Sequence, residues 1–199
     1  AEWAEMVIEA REGTERIRKI VCGLQTFSRA EEERRTVVDV RPVLDLSINL
    51  ASNEMRHRAR LVKDYGAIPL VVADGARLGQ TFVNLLVNAA QAIPEGFAEA
   101  NEICVATSTD AVGRAVIEIR DTGPGIPVGV IGRVFDPFFT TKPIGVGTGL
   151  GLSVCHNIVT SLGGEITARN QEGRGAIFRV VLPAASGGLG ETPGAAAEK

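Results

Sequence analysis

Four glycines at alternate positions, in Gly145-Val-Gly-Thr-Gly-Leu-Gly-Leu-Ser153, constrain the folding of this chain more than any other stretch. Glycine weakens the interior of a helix or a strand, so this run has to be a loop. The apolar pattern that follows reads as a helix from Gly149 to about Leu162, ended by a C-cap signal at Gly163-Gly164. Without Cβ atoms, a backbone can approach a ligand to hydrogen-bonding distance and reach positive φ. A helix N-terminus just downstream adds unpaired N–H groups and the positive end of a dipole, a combination suited to phosphate. The same composition also serves flexible loops that bind nothing, and the loop alone leaves both readings open.

The rest of the chain can support a folded setting for such a loop. Its 199 residues are 45% hydrophobic and 23% charged, enough for one large domain or one domain plus a smaller element. No apolar run reaches the length of about eighteen residues that a membrane span needs. The first residues carry glutamates and no apolar h-region, so neither a secretory leader nor a membrane contact is expected, and the expected location is cytoplasmic. The missing initiator Met suggests a piece of a longer protein. Cys22, Cys104 and Cys155 are widely spaced and lack a CxxC pattern, which reads as reduced core thiols. A net charge of −3 with scattered basic residues makes nucleic acid an unexpected partner.

Residues 1–31 place Trp3, Met6, Ala10, Gly13, Ile17, Ile20, Leu24 and Phe27 at alternating spacings of three and four, a heptad seam. It reads either as an amphipathic helix packed on its own domain or, the reading favoured here, as a helix of a two- or four-helix assembly. A charged linker at 32–36 follows, and a compact α/β alternation occupies 37–183. Strands are expected at Val37–Val40, Arg60–Tyr65, Leu70–Ala73, Glu102–Thr109, Arg114–Arg120, Glu165–Asn170 and Ala176–Leu182, with a turn at Gly66 between the second and third. Pro42 opens one helix, running to about Arg56, and Asp74 caps another that runs to Ile93. The Gly/Pro-rich stretch from Asp121 to Thr148 is long enough to be a functional lid. Residues 184–199 have the composition of a disordered tail.

Neither GxxxxGK[ST] nor a GxGxxG following a strand is present, so a nucleotide site here has to be built another way. Asn84 and Asn88 stand four apart on one helical face, beside the apolar stripe of Leu78, Phe82, Leu85, Leu86 and Ala89. Amide oxygens are neutral hard ligands, useful to Mg²⁺ when phosphates bring the charge, although helical Asn is commonly a surface residue. In Asp121-Thr-Gly-Pro-Gly125, a carboxylate can accept a hydrogen bond from an exocyclic amine while glycines let a flat ring approach; an ordinary turn has the same look. In Val134-Phe-Asp-Pro-Phe-Phe-Thr-Thr-Lys142, three phenylalanines form a hydrophobic latch, and Lys142 carries a charge able to neutralise a terminal phosphate.

Together, in this order and spacing, these elements resemble the catalytic, ATP-binding domain of bacterial sensor histidine kinases, in the superfamily that includes DNA gyrase and a heat-shock chaperone. Asn84-Leu-Leu-Val-Asn88-Ala matches the asparagine box, Asp121-Thr-Gly-Pro-Gly125 the first glycine box, Phe135–Lys142 the phenylalanine box and Gly147-Thr-Gly-Leu-Gly151-Leu the second glycine box. The resemblance implies an α+β fold: a two-layer α/β sandwich with a mixed, mostly antiparallel sheet and helices on one face, preceded by a long N-terminal helix. It also implies ATP and Mg²⁺ as cofactors, a response-regulator receiver domain as partner, and a homodimer formed through the second helix of the dimerisation hairpin at 1–31. By the same resemblance, Asn88 holds Mg²⁺ with Asn84 beside the phosphates, and Asp121 reads the adenine amine between Gly123 and Gly125. Lys142 and the Gly147, Thr148, Gly149, Leu150 and Gly151 segment hold the β and γ phosphates beneath a lid from about Val134 to Thr148.

Two positions depart from the superfamily pattern. ATP-hydrolysing members carry a glutamate one helical turn before the metal-binding Asn, where this chain has Asn84, and an amide cannot take a proton from water. Transfer to another acceptor is therefore expected over hydrolysis. Gln91 stands where many histidine kinases have a basic residue. Neither His57 nor His156 has the context of a phosphoacceptor, so the acceptor His is expected on a helix outside this chain.

Overall fold

The structure is a computed structural model that describes Trp3 and residues 35–142 and 147–185. The expected N-terminal helix with its dimer seam, nearly all of the linker, Cys22, and the tail from residue 186 lie outside the described residues.

In chain order the elements are β1 (Thr36–Val38), α1 (Val40–Met55), β2 (Arg60–Tyr65), β3 (Val71–Ala73), α2 (Gly75–Ala92), β4 (Glu102–Thr109), β5 (Ala115–Asp121), α3 (Gly151–Ser161), β6 (Glu165–Asn170) and β7 (Ala176–Leu182). Five strands form one sheet in the order β2-β4-β5-β7-β6. Only the β2–β4 pair is parallel; the other neighbours run antiparallel. β1 and β3 pair as a separate ribbon, extended by a bridge from Val71 to Ala184.

Three local departures from the sequence expectation have simple causes. Asp39 caps α1, its carboxylate accepting from the Arg41 N–H at 3.0 Å, so Val40 belongs to the helix and not to the preceding strand. At Gly66 the chain does not reverse to pair β2 with β3. The Gly66 N–H donates to the Thr107 carbonyl at 2.9 Å, which carries the chain on along β4 and sends β3 to β1. Ala184 and Ala185, expected in the disordered tail, are tied to β3: the Ala185 N–H donates to the Leu70 carbonyl at 2.7 Å.

The helices cover one face of the sheet. Leu44 and Ile48 of α1, Leu78, Phe82, Leu85 and Leu86 of α2, and Cys155 and Val159 of α3 meet Ile103, Val105, Ile117, Ile119, Phe178 and Val180 in one core. Each such side chain contributes about 1.5–3 kcal/mol by leaving water. Alternate residues point the other way, where Glu118 lies among Arg120, Arg169 and Arg179. Cys104 is half-buried on that outer side, whereas Cys155 is wholly buried. On α2 the core stripe leaves Asn84, Asn88 and Gln91 half-buried along its edge.

Candidate functional site

That edge of α2 forms one wall of an open cleft of ≈ 690 Å³. Opposite it stand the end of β5 with its following loop, the Phe139–Lys142 segment, and the start of α3. Asn84, Asn88, Asp121, Gly125, Lys142, Gly147, Thr148, Gly149, Leu150 and Gly151 all line this one cavity. Gly123 does not line it but supports it from behind. A Cβ there would stand 2.8 Å from Asp121 Oδ1 and 3.1 Å from the Ala92 carbonyl oxygen, so glycine lets the β5 exit pack against the end of α2.

Asp121 is the last residue of β5, paired with Ile103, and not part of the turn. It is only 2% exposed. Its Oδ1 accepts from the Gly123 N–H at 2.8 Å and the Ala176 N–H at 3.4 Å, which leaves Oδ2 for the cleft. Burial pushes its carboxyl above the ordinary carboxylate value, and the two N–H groups offset part of that rise. The site therefore offers a fixed, poorly solvated acceptor to whatever enters.

At the other end, Lys142 Nζ donates to Asn88 Oδ1 at 3.0 Å and to Gln91 Oε1 at 2.6 Å. Burial pushes the Lys142 ammonium down from its ordinary pKa; nearby Arg58 adds to this and Glu54 opposes it. A desolvated cation with flexible reach is well placed to exchange amide oxygens for phosphate oxygens. The amide oxygens of Asn88 and Gln91 already converge on a positive group, a donor set chemically suited to a hard cation.

Gly149 lies at φ +67°, and a side chain there would run into the Phe138 backbone, itself at φ 65°. A left-handed residue cannot begin an α-helix, so α3 starts at Gly151 and not at Gly149. Its N-cap, Leu150, offers no side-chain hydrogen bond to the first turn, and the leading N–H groups are open at the cleft. Asn84 Nδ2 donates to the Gly151 carbonyl at 3.4 Å, joining α2 to that turn. Of the three phenylalanines, Phe135 is docked against Phe178 and His156, Phe139 lies under the Arg133 guanidinium, and Phe138 is 69% exposed. Phe139, but not Phe138, reaches the cleft.

Three further residues take part in ways that local sequence does not disclose. Gln91, which the sequence marks only as the lack of a basic residue, holds Lys142 with its amide oxygen, and helical spacing from Asn84 and Asn88 points to the same face. Asn170 and Gly175 had no signal beyond a hairpin turn. Gly175 lies at φ +95°, and a Cβ there would overlap the Asp121 carbonyl oxygen. Among the described residues no group of three or more His, Cys, Asp and Glu side chains could hold a metal ion, and no helix is long and apolar enough to cross a membrane.

Residues 73–186 match the family described as histidine kinase-, DNA gyrase B-, and HSP90-like ATPases. The chain belongs to this family. Among relatives, the sensor kinase CckA of Brucella abortus is 35% identical over 193 residues, covering 89% of this chain and 20% of that protein. The mycobacterial sensor histidine kinase MprB superimposes with a TM-score of 0.64 at 28% identity, covering 75% of this chain and 97% of the MprB chain. Full-length ShkA in complex with AMPPNP superimposes with a TM-score of 0.74 at 26% identity, covering 92% of this chain and 39% of ShkA. The chain spans about a fifth to a half of the length of the curated relatives it matches. The five-stranded mixed sheet with helices on one face is thus the ATP-binding domain fold of the sensor histidine kinases in this ATPase family.

Proposed function

We propose that this chain is the ATP-binding catalytic core of a sensor histidine kinase. The protein that contains it moves the γ-phosphoryl group of Mg-ATP to a His on a helix outside this chain, for relay to an Asp of a response-regulator receiver domain. One observation carries the reading: a buried carboxylate, an amide-lined helix edge, a half-buried ammonium and an open helix N-terminus surround a single cleft.

In this reading the adenine amine donates to Asp121 Oδ2, with the Gly123–Gly125 loop beside the ring. Lys142 leaves the amide oxygens for the phosphates, and the backbone of Gly147–Gly151 with the first turn of α3 receives the β and γ groups. Asn88 would hold Mg²⁺, which supplies charge neutralisation when bound. Asn84 has no proton-accepting group to activate water, and its N–H is engaged with Gly151, which favours transfer over hydrolysis. The heptad seam of residues 3–27 pairs two copies, on the cytoplasmic side where a receiver domain is available.

The test is a chain carrying the acceptor helix, incubated with Mg²⁺ and γ-labelled ATP. Protein-bound label that is lost in acid and survives alkali is the expected result. Continuous phosphate release without protein labelling would replace the kinase reading with ATP hydrolysis.

A further inference from the structure

Behind the base end of the cleft, Asn170 closes β6 on the far side of the β6–β7 hairpin. It does not line the cavity. Its side chain nonetheless grips the backbone of the loop that does. Oδ1 accepts from the Ile126 N–H at 2.7 Å, and Nδ2 donates to the Ile126 carbonyl at 2.7 Å. A carboxamide thereby makes the pair of bonds that a neighbouring strand would make, across 44 residues of sequence. Among the described residues, the Ile126 backbone has no other hydrogen-bond partner.

The surroundings depend on this grip. Gly125 lies at φ +80°, and a Cβ there would stand 2.9 Å from Asn170 Oδ1, so the amide packs directly against a residue with no side chain. The same would-be Cβ is 3.3 Å from the Gly175 carbonyl oxygen, while Gly175 itself sits flush on the Asp121 carbonyl. Loop, hairpin turn and the end of β5 are locked face to face, and Gly125 and Ile126 present their other side to the cleft.

We infer that Asn170 is a positioning residue: it holds the Gly123–Ile126 loop at the geometry that flanks the base, so that adenine meets a preformed slot beside Asp121. The inference rests on the nucleotide reading above. Without Asn170, the loop loses both hydrogen bonds at Ile126, and that end has to be ordered at the moment of binding, which weakens affinity through entropy. The phosphate end, built on α2, Lys142 and α3, is untouched.

Calorimetric titration of the wild-type chain, Asn170→Ala and Asn170→Asp with AMPPNP, and separately with inorganic tripolyphosphate, tests this. Asn170→Ala is expected to weaken AMPPNP binding about tenfold, the size of one net hydrogen bond's worth of order, while leaving tripolyphosphate binding unchanged. Asn170→Asp keeps the shape but sets a carboxylate oxygen against the Ile126 carbonyl, so it should weaken AMPPNP at least as much. An Asp variant that binds like wild type would reduce Asn170 to packing and overturn the inference, as would equal losses for both ligands. A wild-type chain that does not bind AMPPNP would instead sink the nucleotide reading. In that case exchange of the Ile126 amide decides the grip: protection in wild type that is lost in both variants supports it, and unchanged exchange refutes it.

Discussion

Replacing Asp121 by Asn should separate the stability of this domain from its affinity for nucleotide, because the carboxylate is costly to the empty fold and useful to the ligand. The substitution is isosteric. Its amide oxygen can keep accepting from the Gly123 and Ala176 N–H groups, and its NH₂ then replaces Oδ2 at the cleft. Two consequences follow. Asp121 has a folded-state pKa above its unfolded value of 3.8, so the folded protein binds the extra proton and this group's stabilisation is lost as pH rises through the folded pKa. The nucleotide-free variant should therefore match wild type below pH 3.8 and become the more stable of the two as pH rises to neutrality. For binding, the adenine amine loses a charged acceptor and meets another donor. At about 2–3 kcal/mol for a hydrogen bond to a charged group, ATP affinity should fall roughly 30- to 150-fold. A purine with an oxygen at that ring position, such as inosine triphosphate, presents an acceptor to the new NH₂ and should lose far less. Calorimetric titration with ATP, inosine triphosphate and tripolyphosphate, alongside thermal melts of the empty protein across pH, reads all of this. Equal losses for the two purine nucleotides, or unchanged ATP affinity, would refute the adenine-reading role; a less stable empty variant at neutral pH would refute the desolvation argument.

The glycines make a second set of tests. Gly175→Ala puts a Cβ into the Asp121 carbonyl at a left-handed φ and should cost about 3 kcal/mol or more by urea denaturation, whereas Gly173→Ala, also left-handed but with open space around it, should cost only about 1–2 kcal/mol. In the glycine loop, Gly149→Ala collides with the Phe138 backbone and should abolish AMPPNP binding measured by calorimetry. By contrast, a Cβ at Gly151 meets nothing nearer than Asn84 Cγ at 3.9 Å, so Gly151→Ala at the start of α3 should leave the melting temperature unchanged or higher. Lys142→Met removes the ammonium donated to Asn88 and Gln91; AMPPNP affinity should fall by about 1.5–3 kcal/mol, with a weaker dependence on salt, while the empty fold keeps its stability because the lost cation was desolvated.

Much of this could be read from local pattern because local pattern is what the elements obey. β2, β4, β6 and β7 have the bounds that their β-rich segments and flanking turns suggest, and the Asp74 cap on α2 is the one its position promises: Asp74 Oδ1 accepts from the Ala76 and Arg77 N–H groups at 2.8 and 3.2 Å. Asn84 and Asn88 lie on one edge of α2 because a helix repeats every 3.6 residues. Where sequence reasoning stopped, the missing information was non-local. Nothing near Gly66 says that its N–H will find Thr107 rather than close a hairpin. Nothing in Glu172-Gly-Arg-Gly175 says that the turn will rest on the carbonyl of Asp121, more than fifty residues earlier.

By itself, then, the sequence determined the helical and extended segments, the faces they bury, and the set of glycines, amides and charges that had to serve some site, since all of these follow from backbone geometry and solvent transfer over a few residues. The tertiary structure alone decided how that set is used. Burial between β5 and the β6–β7 turn leaves Asp121 a poorly solvated acceptor with one free oxygen. Folding brings Lys142 onto Asn88 and Gln91 across more than fifty residues, and Asn170 reaches Ile126 to hold a loop whose own residues give it almost no hydrogen bonds. Desolvation and orientation arise only when distant segments pack, and no short stretch of chain carries them.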